Sequence, residues 1–146
     1  MVEEYMHMVN VLRESKGSQP SLMALVGFED WSLPTLLTGA AGAICGLLNI
    51  APELFNGLVR TFEGGDLAKA TELHRRILPL VAIFTLGSPG LSSMKLAMTK
   101  LGFPLSPTMR GPTMRSPALP NPPNYEEAIE TTLKAAGLLP VQSEAQ

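Results

Sequence analysis

Leu22–Pro52, LMALVGFEDWSLPTLLTGAAGAICGLLNIAP, is the stretch around which the 146-residue chain is organised. Leu22–Val26 is a short apolar run ending at Gly27, and such runs suit strands buried on both faces of a parallel sheet. Glu29 and Asp30 follow at once. Ser32 is placed to cap a short helix containing Leu33, Leu36 and Leu37, with Pro34 tolerated in its first turn and Gly39 near its end. Gly42–Leu48 is a second apolar run, closed by Asn49 and Pro52. Strand, helix and strand with short connections make the two strands parallel, and the residues past their carboxyl ends then lie side by side. A ligand site in this α/β chain is therefore expected at Gly27–Asp30 and Ile44–Asn49.

Upstream, the spacing of Tyr5, Met6, Met8, Val9 and Leu12 predicts a helix over Glu3–Ser15, with His7 off its apolar stripe and Lys16–Pro20 as a loop into the first strand. Downstream, Pro52–Thr61 reads as a helix with Leu54, Phe55, Leu58 and Val59 on one side, stopped by Gly64-Gly65. Asp66 is the expected N-cap of a helix whose stripe is Leu67, Ala70, Leu73, Ile77 and Leu80. Pro79 is expected to bend that helix, since the apolar pattern runs on to Phe84. Leu91–Leu101 is a further helix. Residues 103–124 form a proline-rich connector, and Asn124 is the expected cap of a helix over Tyr125–Ala136 closed by Gly137, before a loose tail at 140–146.

Composition narrows the function classes. A net charge of -2 with no basic patch argues against nucleic acid as a partner. Cys45 is the only cysteine, which excludes an internal disulfide. Met1 is followed by Glu3 and Glu4 rather than by a basic and then an apolar segment, so no secretory signal is evident and the cytoplasm is the expected location. Trp31–Pro52 and Ile77–Met94 lack charge and approach the roughly 20 residues of a membrane helix. Pro34, Gly39, Gly42, Gly46, Pro79, Gly87, Pro89 and Gly90 divide them into pieces too short to span, so no membrane association is expected.

The catalytic inventory is thin. A serine triad needs a histidine oriented by an acid, and neither His7 nor His74 has a serine partner placed beside it; for His7 no second histidine, cysteine or acid sits at metal-ligand spacing. His74-Arg75-Arg76 could hold a phosphate or carboxylate, but a solvated basic face is the simpler reading. Cys45 reads as a packed thiol, for want of an activating histidine. Lys95 and Lys100 read as exposed helix lysines, because an amine nucleophile needs desolvation or a neighbouring cation. If Glu29 and Asp30 face one cavity, one of them can act as an acid; otherwise they cap the following helix. The glycines of 39–46 match neither dinucleotide nor P-loop spacing.

GFEDWSLPTLLTGAAGAICGLLNIAPELF, followed by GDLAKATELHRRILPL, GSPGLSSMKLAMTKLGF and MRGPT, resembles the C-terminal half of the dihydrodipicolinate synthase and N-acetylneuraminate lyase family. The resemblance runs from about Glu3 to Leu139. It implies a fragment of a (β/α)8 TIM barrel, namely its last two strands, plus a C-terminal extension of three helices. Residues 1–64 would be the barrel part, with Glu3–Ser15 the sixth helix and the two apolar runs the seventh and eighth strands. Residues 65–139 would be the helical extension. The resemblance further implies Schiff-base chemistry on pyruvate or another 2-oxo acid without a cofactor or metal, in an oligomer. Gly27, Glu29 and Asp30 would touch the distal end of the substrate, and Ile44 would line the pyruvate pocket. Gly46 stands where sialic-acid lyases carry a serine, which turns the expectation toward a short 2-keto-3-deoxy sugar acid.

In that family the Schiff-base lysine, the proton-relaying tyrosine and the carboxylate loop all precede the segment resembling Glu3–Ser15, so the expectation is that none of them lies within Met1–Gln146. The chain is then expected to be a partial lyase, inactive alone. The alternative is a non-catalytic binding or oligomerisation module that pairs with a full-length relative or a separate N-terminal half.

Overall fold

A computed structural model describes residues 4, 7, 23–87, 90–106 and 123–140. The expected first helix lies almost wholly outside these residues; Glu4 and His7 are helical and exposed. The expected connector beyond residue 106 and the tail at 141–146 also lie outside.

Strand β1 (Leu25–Val26) pairs in parallel with β2 (Gly42–Ala43), Leu25 opposite Gly42 and Val26 opposite Ala43. Ala41 N–H to Ala24 O and Ile44 N–H to Val26 O, both 2.8 Å, carry the ladder past the strand ends. Helix α1 (Ser32–Leu37) connects the strands after a 3-10 turn at Glu29–Trp31. The parallel order is thus as read from the sequence, with two corrections. Burial alternates: Ala24 and Val26 are buried against the helices, while Met23 (73% exposed) and Leu25 (44%) face outward. The described helices cover one face of the sheet, so these strands are not buried on both. The second strand also ends early, because Gly46–Asn49 winds into a 3-10 turn that takes Leu47 and Leu48 out of the ladder.

Ser32 is the first residue of α1 rather than its cap. Its hydroxyl donates to Glu29 O at 2.8 Å, and the Trp31 cap makes no side-chain bond. Helix α2 (Pro52–Glu63) buries Leu54, Phe55 and Leu58, with proline at its first turn, where a missing N–H costs nothing. Helix α3 (Leu67–Ile77) is capped as expected, the Asp66 carboxylate accepting Lys69 N–H at 2.9 Å. Ala70, Leu73 and Ile77 are buried, but Leu67 is exposed in the first turn.

Pro79 changes the helix type as well as its course. A 3-10 turn at Leu78–Ala82 joins α3 to α4 (Ile83–Leu86), because a proline lacks the N–H that an α-helix interior uses. Helices α5 (Gly90–Lys100) and α6 (Tyr125–Ala135) pack on α4 and on each other. Asn124 makes no side-chain cap bond; only its carbonyl accepts, from Ala128 N–H. One apolar core runs from Leu33 to Ala136, centred on Leu47, Leu58, Ile77, Leu80, Ile83, Ile129 and Leu133. Within it Tyr125 donates to Ser93 Oγ at 3.0 Å. A Cβ on Gly87 would lie 2.5 Å from that Oγ and 2.7 Å from the Tyr125 hydroxyl, so only glycine fits this junction. Among the described residues, no helix is long and apolar enough to cross a membrane.

Candidate functional site

Pairing of β1 with β2 brings together the residues just past their carboxyl ends. Gly27, Phe28 and Asp30 are exposed on one side and Ile44 on the other, with Ile44 N–H bonded to Val26 O. Phe28 (58% exposed) and Ile44 (71%) extend the apolar surface begun by Met23 and Leu25.

Glu29 and Asp30 diverge. Glu29 is 5% exposed, and its Oε1 accepts Leu47 N–H at 3.0 Å, while Asp30 is open to solvent. The two acids therefore do not face one cavity, and neither side chain caps α1. Glu29 instead satisfies a buried main-chain donor of the turn after β2, and in doing so ties the two strand ends together.

Cys45 is packed, as the sequence reading had it. Its Sγ–H donates to Val26 O at 3.6 Å, and burial, with the negative charge of Glu29 adding to it, pushes the thiol up to about 11. A thiol so placed is neutral near pH 7 and a poor nucleophile. Gly46 has a reason to be glycine: a Cβ there would meet Phe84 Cζ at 3.0 Å and Met94 Cε at 3.2 Å.

The basic segment of α3 is not simply a solvated face. Arg75 is exposed, but Arg76 Nε donates to Ala136 O at 3.1 Å, tying α3 to the end of α6. His74 is half-buried beside Asp30. Burial holds its ring below the usual imidazole range, opposed by the carboxylate and main chain of Asp30. Sequence reasoning missed this contact because His74 and Asp30 belong to elements separated by two helices.

Lys100 is likewise not a free helix lysine. It reaches Glu126 and Glu130 at 2.8 Å each, and these hydrogen bonds raise its pKa above the ordinary value. Among the described residues no group of histidine, cysteine and acid side chains is arranged to hold a metal ion. A shallow cleft lined by Leu36, Ala43, Leu48, Phe55, Asn56 and Val59 opens between α1, β2 and α2, beside the edge of the sheet.

Two parallel strands, their helices and a C-terminal helical layer match about 44% of the length of known barrel proteins. The structure superposes on barrel enzymes that are about twice as long. It matches YagE, a prophage protein of Escherichia coli K12 crystallised with pyruvate, with a TM-score of 0.76 and 28% identity, covering 92% of this chain and 44% of that one. A dihydrodipicolinate synthase from Thermotoga maritima shares the fold at a TM-score of 0.77 and 24% identity, covering 95% and 44%. In sequence, the chain is 33% identical over 135 residues to a probable 2-dehydro-3-deoxy-D-pentonate aldolase, YjhH, of Escherichia coli K12, covering 92% of this chain and 43% of that protein. The dihydrodipicolinate synthetase family model matches residues 2–136. The chain belongs to this family, and it spans less than half the length of these relatives.

Proposed function

We propose that this chain supplies the closing strand ends and the C-terminal helical layer of a Schiff-base aldolase or lyase acting on pyruvate and sugar-acid-type 2-oxo acids. The observation that carries this reading is the family match over residues 2–136, together with the parallel pairing of β1 with β2, and in this reading Gly27, Asp30 and Ile44, which follow the paired strands, form the substrate-contact patch. In that patch Gly27 lets a ligand approach the main chain, Ile44 offers an apolar wall to the small keto acid, and Asp30 accepts hydrogen bonds from hydroxyls further along. Glu29 holds the patch in shape. Gly46 brings no hydroxyl to the site, which favours a short 2-keto-3-deoxy acid over a long polyol chain. YjhH and YagE, named for 2-dehydro-3-deoxy sugar acids, support the same class. In this reading residues 1–64 correspond to the barrel part of the family and 65–139 to its supporting and oligomerisation layer.

A Schiff base requires an unprotonated lysine amine beside the substrate carbonyl. Lys69, Lys95, Lys100 and Lys134 sit on helices, not strand ends, and the carboxylates on Lys100 favour its protonated form. Lys16, outside the described residues, reads from the sequence as part of a loop into the first strand, and in this reading the amine and the tyrosine hydroxyl come from outside these 146 residues. Borohydride trapping with pyruvate, read by intact mass, should give no adduct on the 146-residue chain while a full-length relative is labelled in parallel. An adduct on this chain would overturn the assignment of the amine.

The exposed apolar face of Met23, Leu25, Phe28 and Ile44 favours a second reading, a non-catalytic module that pairs with a full-length relative or a separate N-terminal half. Co-elution with such a partner on size exclusion, without trapping competence, would select it.

A further inference from the structure

Ile44, Cys45 and Gly46 run on past β2 with Cys45 extended, so their directions alternate: Ile44 faces outward, Cys45 is buried, and Gly46 returns to the side of Ile44. Two side chains of the C-terminal layer meet it there. A Cβ on Gly46 would lie 3.0 Å from Phe84 Cζ, at the tip of the ring, and 3.2 Å from Met94 Cε. Met94 is buried in the core, while the half-buried Phe84 ring packs against that core from its edge. The ring is firmly based. A Cβ on Gly90 would fall on the Phe84 carbonyl, so the start of α5 lies directly against the main chain that carries the ring.

We propose that Phe84, backed by Met94, is a specificity-determining residue of the site: its ring walls the space beyond Gly46 and holds the substrate to a short 2-oxo acid. This role rests on the reading of the strand ends as a lyase site. Barrel enzymes build their sites at the carboxyl ends of the strands, and a ligand that runs outward from Ile44 along β2 reaches Gly46 next. Position 46 has no side chain of its own, so the boundary met there is an aromatic edge and a thioether. A further hydroxylated carbon pressed against that boundary gives up water without gaining a hydrogen bond of comparable strength. An apolar wall discriminates on that basis by up to about a hundredfold. The length limit is thereby set by the helical layer rather than by the strands.

Two measurements test it. On the 146-residue chain, NMR should show a nuclear Overhauser contact between the Phe84 ring and the α protons of Gly46, and its absence would overturn the wall. Specificity is read with the chain joined to the N-terminal half of YjhH, in place of the segment of YjhH that it matches. There Phe84→Ala should raise kcat/KM for 2-dehydro-3-deoxy-D-gluconate relative to 2-dehydro-3-deoxy-D-pentonate by about tenfold, and Phe84→Leu, which keeps much of the bulk, by less. Damage to the scaffold lowers both substrates together, so the ratio separates a wall from a support. An unchanged ratio would overturn the proposal and leave the lyase reading standing. If the joined protein with Phe84 intact, shown folded by its thermal melt, fails to trap pyruvate under borohydride while YjhH does, the lyase reading falls and this role falls with it.

Discussion

Glu29 accepts the main-chain N–H of Leu47 at 3.0 Å, and one buried carboxylate thereby fastens the turn after β1 to the turn after β2. Glu29→Ala leaves that N–H without a partner in the interior and should cost about 1–3 kcal/mol in denaturant unfolding. Glu29→Gln keeps an acceptor oxygen in place and should recover most of the loss. Equal losses for the two variants would mean that the charge, not the hydrogen bond, holds the strand ends.

Cys45 should resist modification by a maleimide at pH 8 in the folded chain and react once the chain is unfolded. Its folded value is raised from 9.0 to about 11, so the unfolded chain loses its proton first. The sign follows: stability from this group is intact below pH 9.0 and declines as pH rises toward 11, by up to about 2–3 kcal/mol. Cys45→Ser should abolish that alkaline decline in a pH series of thermal melts.

Gly46→Ser, which installs the hydroxyl of the sialic-acid-lyase pattern, pushes a Cβ onto Phe84 and Met94. The expected destabilisation is about 1–3 kcal/mol. Combined with Met94→Ala, which opens the space, the pair should be less destabilising than the sum of the single changes by roughly 0.5 kcal/mol or more. Strict additivity in the double-mutant cycle would place the strain elsewhere.

Lys100 joins α5 to α6 through two carboxylates. Its pKa is raised, first by the hydrogen bond to Glu126 and then by that to Glu130, and that of Glu130 is lowered by its hydrogen bond to Lys100, so the tie is complete between the two ordinary values. It weakens as pH falls through the folded value of Glu130 or rises through that of Lys100. Lys100→Met should lower the melting temperature at low salt, and the difference should shrink at high salt, because exposed ion pairs are screened.

Much of the backbone was legible from local signals. The strand, helix and parallel strand order, the helices α2 and α3, and the Asp66 cap all rest on residues within a few positions of one another, where periodicity and capping chemistry act. The site was less so. Nothing local distinguishes Glu29 from Asp30, yet one is buried on Leu47 and the other is open. Leu47 and Leu48 read as strand because they are apolar, and the turn that removes them depends on a carboxylate 18 residues away. His74 with Asp30, and Arg76 with Ala136, are longer-range still, and neither pair leaves a trace in hydrophobic spacing.

The junction of Gly87, Ser93 and Tyr125 has a consequence for how the chain can be cut and rejoined. Helix α6 meets the hydroxyl of Ser93, the amine of Lys100 and the guanidinium of Arg76, three polar contacts that fix its place on its neighbours. A separate peptide spanning residues 123–140 should therefore find its place on α5 in a chain from which that helix has been removed.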